Sequence, residues 1–124
     1  MDRFVIEGGR PLRGKVHIEG VKNAVLPMMC AALMAEKGKT VLHNVPYLHD
    51  IRVLEKLIDG FGGTSGYDAA ARTMTIDATN AQNGIAPYEL VKQMRASFLL
   101  SGALLGRFGE FKISLPGRCA IGAR

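Results

Sequence analysis

Short apolar runs separated by turn-forming residues divide this chain into strand candidates. Residues 15–19 (KVHIE) alternate strictly between polar and apolar side chains, which is typical of a strand with one buried face. Similar short runs predict four further strands, over residues 4–7, 40–45, 74–77 and 111–115. A turn-rich loop rather than regular structure is expected immediately before the strand at 74–77.

The first helix is predicted over residues 24–36, which are rich in Ala, Leu and Met and therefore have high helix propensity. Asn23 precedes this segment as a natural N-cap, and Gly38 follows it as a stop signal. Pro27 is compatible with this helix only near the first turn, because the missing N–H costs no hydrogen bond there.

Two further helices are predicted from apolar spacing. Asp50 is expected to cap the first of them, and the glycine pair at 62–63 to end it. Its apolar residues recur at near-helical intervals, at Ile51, Leu54, Ile58 and Phe61. The second is a long helix over residues 87–107, which Gly109 ends. Strands and helices therefore alternate along the chain, which predicts an α/β fold.

The composition is that of a soluble globular protein. Of the 124 residues, 48% are hydrophobic and 22% are charged, which suits one small folded domain. The opening residues do not resemble a signal peptide, and the longest nonpolar stretch, residues 24–35, is too short for a membrane span. These features favour a cytoplasmic location without a membrane partner.

The net charge of +5 suits an anionic partner without identifying it. Basic residues are scattered, aromatic residues make up only 6%, and the two types are not interleaved as in proteins that bind single-stranded nucleic acid. Nucleic acid is therefore not an expected partner. The three histidines lack metal-ligand spacing and no glycine-rich nucleotide motif occurs, so neither a metal nor a cofactor is expected.

Cys119 is the first candidate for chemistry. It lies in a glycine-containing segment, residues 115–124 (LPGRCAIGAR), with Arg118 and Arg124 nearby, and cations lower the pKa of a thiol. Such a thiol can act as a nucleophile or a general acid, although a small apolar residue in a loop would leave the same pattern. Cys30, among Met and Ala residues of the first helix, is expected to be a buried structural thiol.

Lys22 and Arg95 are candidate ligands for an anion. Lys22 and Asn23 lie where a strand is expected to meet a helix N-terminus, which attracts phosphate or carboxylate groups. Arg95 lies in the third predicted helix beside small residues, over which its side chain can reach a ligand. From these residues alone, an exposed lysine beside an ordinary helix cap and a surface arginine are the simpler interpretations.

Three segments together resemble motifs of the UDP-N-acetylglucosamine enolpyruvyl transferase family. Residues 20–27 (GVKNAVLP) resemble its GxKNAxLP signature, and residues 86–97 (APYELVKQMRAS) resemble its second motif. Residues 107–109 (RFG) and 115–124 resemble its active-site loop. Order and spacing match throughout, so the resemblance covers essentially the whole chain.

The related shikimate-pathway enolpyruvyl transferases are the nearest alternative. They share the fold and a lysine near the start, but usually have Ser after that lysine and lack the cysteine loop. Asn23 and Cys119 therefore favour the amino-sugar family.

The resemblance implies transfer of the enolpyruvyl group of phosphoenolpyruvate to the 3-hydroxyl of UDP-N-acetylglucosamine, with release of phosphate, in the first committed step of peptidoglycan synthesis. Cys119 would be the general acid that protonates the methylene carbon, a site of covalent adducts and the target of fosfomycin. Lys22 and Asn23 would bind phosphoenolpyruvate, and Lys22 would neutralise developing charge. Arg95 and Arg124 would contact the nucleotide sugar.

The fold that the resemblance implies is a two-domain inside-out α/β barrel, built from repeated βαβαββ-type units with helices inside and sheets outside. Residues 1–21 would be an opening strand segment of the other domain, and residues 22–124 an incomplete transferase domain. Family members are far longer and carry a downstream aspartate that accepts the sugar hydroxyl proton. We therefore expect the isolated chain to be inactive and marginally stable, and a truncated non-catalytic fragment with residual anion binding is the alternative.

The chain departs from the family pattern in two places within the matched motifs and helices. Arg118 stands beside the cysteine where the family usually has a second glycine, and residues 101–103 (SGA) replace a stretch that commonly contains proline. The long cation of Arg118 would either depress the pKa of the neighbouring thiol further or crowd the loop.

Overall fold

The computed structural model describes residues 3–93 and 98–113 of the chain. Within these ranges helices and strands alternate, in the order α1 (Lys22–Ala32), β1 (Lys39–Leu42), α2 (His49–Gly60), β2 (Thr64–Asp68), β3 (Thr73–Asp77), β4 (Ile85–Ala86), α3 (Tyr88–Val91), α4 (Leu100–Phe108) and β5 (Lys112–Ile113). The predicted α/β class is confirmed.

Three of the strands form an antiparallel sheet in the order β1–β3–β2. Thr75 of the central strand β3 pairs with Val41 on one side and with Gly66 on the other. Met74 and Ile76 flank it on the opposite face and are fully buried, so one face of the sheet forms part of the core. β4 and β5 pair in parallel, with α3 and α4 between them in sequence, which is a βαβ connection.

The core lies where α1, α2 and α4 meet the inner face of the three-stranded sheet. α2 packs on β2 and on α1, and α1 also contacts β1, β3 and α4. The predicted amphipathic face of α2 is confirmed, because its apolar side chains are buried at Ile51, Val53, Leu54, Leu57 and Ile58. Full burial of a Leu or Ile side chain contributes about 1.5–3 kcal/mol, so this helix face is a main source of stability.

The predicted strands at residues 4–7 and 15–19 are wrong. Residues 3–21 contain neither helix nor strand, and neither sheet includes them. A strand requires a neighbouring strand to satisfy its backbone N–H and C=O groups, and the described residues provide none here. Phe4 and Ile18 are accordingly 98% and 87% exposed, so the apolar alternation is present without a sheet to bury it.

The predicted cap of the first helix is also wrong. α1 begins at Lys22 with Val21 as its N-cap, so Asn23 is the second helical residue. The helix ends at Ala32 rather than at residue 36. Pro27 lies beyond the first turn, and because it has no N–H it donates no hydrogen bond to the carbonyl of Asn23, four residues earlier.

The other two predicted helices need smaller corrections. α2 begins at His49 with Leu48 as its N-cap, which places Asp50 within the first turn instead of at the cap. The long third helix is divided, since α3 ends at Val91, a turn follows, and α4 begins at Leu100. Gly109 ends α4 as predicted, with a left-handed φ of 74° that glycine adopts without steric cost.

Strand β2 was not predicted, because its sequence TSGYD lacks apolar alternation. It forms a hairpin with β3, and the turn between them is stabilised by the carboxylate of Asp68. Its Oδ1 accepts hydrogen bonds from the backbone N–H groups of Ala70 (2.9 Å) and Ala71 (3.1 Å). The predicted turn before residue 74 therefore exists, but it is short and joins two strands.

Candidate functional site

The first turns of α1 and α2 are joined by an ion pair. Lys22, the first residue of α1, donates from its Nζ to Oδ2 of Asp50, the second residue of α2, over 2.7 Å. The side chains are 40% and 27% exposed, respectively. The pair is therefore only partly desolvated, and a solute anion can reach the ammonium group.

The N-terminus of α1 carries no capping side chain. Val21 occupies the cap in an extended conformation, and its carbonyl accepts hydrogen bonds from the N–H groups of Ala24 (3.0 Å) and Val25 (3.1 Å). The first N–H groups of a helix have no intrahelical acceptor and give its N-terminus a partial positive charge. With the Lys22 ammonium beside it, this helix end has the electrostatics of a phosphate or carboxylate site.

The segment that enters α1 passes close to the loop after β1. A Cβ on Gly20 would lie only 2.0 Å from the carbonyl oxygen of Asn44, so any larger residue at position 20 would displace the backbone. Asn44 itself has a φ of 55°, in the left-handed region that asparagine tolerates. Because this loop continues into α2, the contact fixes the start of α1 relative to the start of α2.

The structure describes only two of the predicted site residues. Lys22 and Asn23 are adjacent at the start of α1, where Asn23 is exposed and Lys22 half-buried. Cys119, Arg95 and Arg124 lie outside the described residues.

Asp50 is the residue that the sequence interpretation missed in this site. An acidic residue at the start of a helix is explained by capping alone, so nothing in its local sequence indicates a partner 28 positions earlier. Only the tertiary packing of α1 on α2 brings the carboxylate to Lys22.

Cys30 does not belong to a reactive site. Its side chain is 3% exposed, and burial raises the pKa of its thiol from 9.0 to about 12. A protonated, enclosed thiol is neither nucleophilic nor accessible. The prediction of a structural cysteine is confirmed.

A concavity of about 320 Å³ lies along α2 and is lined by neither Lys22 nor Asp50; its walls include Arg52, Glu55, Lys56 and Asp59. These mixed charges give no preference for an anion. Among the residues described, no group of three or more His, Cys, Asp or Glu side chains is arranged to hold a metal ion. None of the described helices is long and apolar enough to cross a membrane.

Known proteins similar to this chain agree on one chemistry. The chain is 52% identical to the UDP-N-acetylglucosamine 1-carboxyvinyltransferase of Acinetobacter guillouiae and 50% identical to that of Dichelobacter nodosus, over all 124 residues in both cases. It spans only 29% of the length of either relative. Its structure resembles the enolpyruvyl transferase NikO from Streptomyces tendae, with a TM-score of 0.72 and 30% identity over 82% of this chain and 23% of that one.

A family match covers nearly the whole sequence. Residues 6–124 match the family described as EPSP synthase (3-phosphoshikimate 1-carboxyvinyltransferase), and this range includes all three motifs noted above. Together with the structural likeness to an enolpyruvyl transferase, the match shows that this chain belongs to the EPSP synthase family.

Proposed function

We propose that the protein transfers the enolpyruvyl group of phosphoenolpyruvate to the 3-hydroxyl of UDP-N-acetylglucosamine and releases phosphate. The observation that carries this proposal is the half-exposed ammonium of Lys22 at the uncapped N-terminus of α1, within the GxKNAxLP segment. The choice of acceptor is supported by relatives about 50% identical over the whole chain, all named UDP-N-acetylglucosamine 1-carboxyvinyltransferase.

We assign Lys22 to the binding of phosphoenolpyruvate, together with the adjacent Asn23. An ammonium group has three N–H donors, and the described contacts of Lys22 use one of them on Asp50. The others are available to the phosphate or carboxylate oxygens of the substrate. Negative charge that develops on the departing phosphate would be stabilised by the same ammonium and by the α1 N-terminus.

Cys119 is assigned the role of general acid. In the addition step, the sugar 3-oxygen bonds to the phosphate-bearing enol carbon while the thiol gives its proton to the methylene carbon, which becomes a methyl group. A base takes the sugar hydroxyl proton; in the longer chains of the family, a downstream aspartate supplies this base. Loss of phosphate and of a methyl proton then restores the double bond. Arg95 and Arg124 are assigned to the nucleotide sugar.

The larger architecture is part of the same proposal. Residues 22–124 would belong to one domain of an inside-out α/β barrel, and residues 1–21 would become an opening strand segment of the other domain where that domain supplies a partner strand. Large apolar side chains of the opening segment are exposed and pack against no core, which supports this division. They are Phe4, Val5, Ile6, Leu12, Val16 and Ile18. A role in cell-wall synthesis in the cytoplasm and sensitivity to fosfomycin follow from the proposed reaction.

The proposal is tested by measuring phosphate release by the product of the complete gene. We expect turnover with phosphoenolpyruvate and UDP-N-acetylglucosamine, and none when shikimate 3-phosphate is the acceptor. Cys119→Ala should reduce the rate at least a hundredfold, the scale of a lost general acid. Cys30→Ala is the matched control, and it should retain the rate because that thiol is buried in the core. Turnover with shikimate 3-phosphate alone would contradict the assignment, and binding of phosphoenolpyruvate without turnover would reduce it to an anion-binding role.

A further inference from the structure

We propose that Asp50 is a positioning residue that holds the Lys22 ammonium in place for the anionic substrate. The inference rests on the proposed function, since it assumes that Lys22 contacts phosphoenolpyruvate. It assigns Asp50 no contact with the substrate.

The geometry of the pair supports a positioning role. A lysine side chain has four rotatable bonds along its methylene stem and loses rotamer entropy when it is fixed. The charge-assisted hydrogen bond of 2.7 Å between Lys22 Nζ and Asp50 Oδ2 fixes it before the substrate arrives. A substrate that meets an ordered ammonium does not have to order it, which is the usual benefit of preorganisation.

The position of Asp50 lets its carboxylate orient the ammonium and still leaves the ammonium able to bind an anion. Its carboxylate lies in the first turn of α2, where the unpaired N–H groups of the helix favour a negative charge. Part of that charge is therefore balanced by α2 rather than by Lys22. The Lys22 side chain keeps 40% of its surface exposed, so its remaining donors stay open to an incoming anion.

The ion pair also links the position of the ammonium to the packing of two helices. The two residues are 28 positions apart, and each lies in the first turn of a helix; the two helices pack on each other. The position of the ammonium thus depends on how α1 and α2 meet, and an exposed lysine on a single helix would have no such constraint.

The test is a double-mutant cycle in the product of the complete gene, with Lys22→Gln, Asp50→Asn and the two combined. We expect Asp50→Asn to raise the KM for phosphoenolpyruvate about tenfold or more, the cost of a misplaced binding group, and to leave the KM for UDP-N-acetylglucosamine unchanged. In the Lys22→Gln background, Asp50→Asn should have no further effect, because there is no ammonium left to position. Asp50→Glu, which keeps the charge, should restore part of the loss.

Asp59→Asn is the matched control, because it makes the same change at the other end of α2. Asp59 accepts hydrogen bonds from the Ser65 hydroxyl and backbone N–H, so its loss should lower the melting temperature without changing either KM. If Asp50→Asn does not fold, Asp50→Gln takes its place in the cycle, because glutamine is also uncharged and has a higher helix propensity than asparagine.

The outcomes separate this inference from the function on which it rests. If Lys22→Gln leaves the KM for phosphoenolpyruvate unchanged, the assignment of Lys22 itself is wrong. If Lys22→Gln raises that KM but Asp50→Asn does not, only the positioning role is overturned. Effects of the two changes that simply multiply would also overturn it, since Asp50 would then act independently of Lys22.

Discussion

The guanidinium of Arg107 donates from Nη1 to the carbonyl oxygen of Leu33 over 2.7 Å, which fastens the end of α4 to the end of α1. The same nitrogen lies within hydrogen-bond distance of the carbonyls of Ala35 (3.0 Å) and Ala78 (2.8 Å). Carbonyls just past a helix C-terminus lack intrahelical donors, so one arginine satisfies groups from two parts of the chain. Arg107 belongs to a segment that resembles the active-site loop, yet its contacts are structural.

We therefore predict that Arg107→Met lowers the free energy of unfolding by roughly 2–4 kcal/mol, since it leaves carbonyl groups without a charged donor. Urea denaturation of the purified protein measures this. Arg72→Met is the control, because the Arg72 side chain forms an exposed ion pair with Glu19, and such pairs contribute about 1 kcal/mol or less. Equal losses for the two variants would show that the Arg107 contacts do not hold α4 against α1.

Gly20→Ala should affect both stability and the candidate site. The added Cβ would meet the backbone oxygen of Asn44 at 2.0 Å, so the segment entering α1 would have to move. Overpacking of this kind costs about 1–3 kcal/mol. Because the next turn carries Lys22, we also expect a higher KM for phosphoenolpyruvate.

Gly66→Ala is the control for that change. Gly66 lies in strand β2, and a Cβ there would have no atom within 4 Å. Alanine at this position should therefore change stability by less than about 1 kcal/mol and leave the KM unaltered. If both variants behave alike, Gly20 is not required for the close approach to Asn44.

The sheet offers a third test, at Tyr67. Its hydroxyl donates to the carbonyl of Val45 over 2.9 Å, while its ring stacks on that of Tyr47 with centroids 4.1 Å apart. Tyr67→Phe keeps the stacking and removes the hydrogen bond, so it should cost about 1 kcal/mol in urea denaturation. Tyr88→Phe, at a position 56% exposed, should cost nothing measurable, and a similar cost at both positions would contradict the prediction.

Two features of the helices were predictable from the sequence because their determinants are local. The apolar spacing of α2 and the glycine that ends α4 are both readable from one sequence, and both are confirmed. Strands depend on partners elsewhere in the chain, which sequence alternation does not reveal. Residues 15–19 alternate cleanly yet lie unpaired, whereas β2, with a glycine and polar residues, is paired along its length with β3.

The candidate site shows the same division. Lys22 and Asn23 could be proposed as site residues because their motif and their position at a helix start are contiguous in sequence. The contribution of Asp50 depends on the packing of α1 against α2, and an acidic residue in a first helical turn gives no sign of it. Gly20 likewise has a recognisable place in the motif. Glycine is needed there because the backbone passes close to Asn44, and no local sequence pattern indicates this contact.

The buried thiol of Cys30 predicts a loss of stability at alkaline pH. Burial raises its pKa from 9.0 to about 12, because the thiolate would be a charge in apolar surroundings. Between those values the folded protein keeps a proton that the unfolded chain releases. The free energy of unfolding should therefore be unaffected by this group below pH 9 and fall above it, by at most about 1.4 kcal/mol per pH unit.

Cys30→Ala isolates this contribution from the other groups that titrate in the same range. At pH 8 the variant should be less stable than the wild type, because it loses buried volume in the core. Since alanine does not titrate, the difference between the two proteins should shrink as the pH is raised from 9 to 10.5 in a series of urea denaturation curves. Iodoacetamide should likewise fail to modify Cys30 in the native protein at pH 8 and modify it after unfolding. A constant difference across the series, or rapid native alkylation, would show that the thiol is not held protonated in the core.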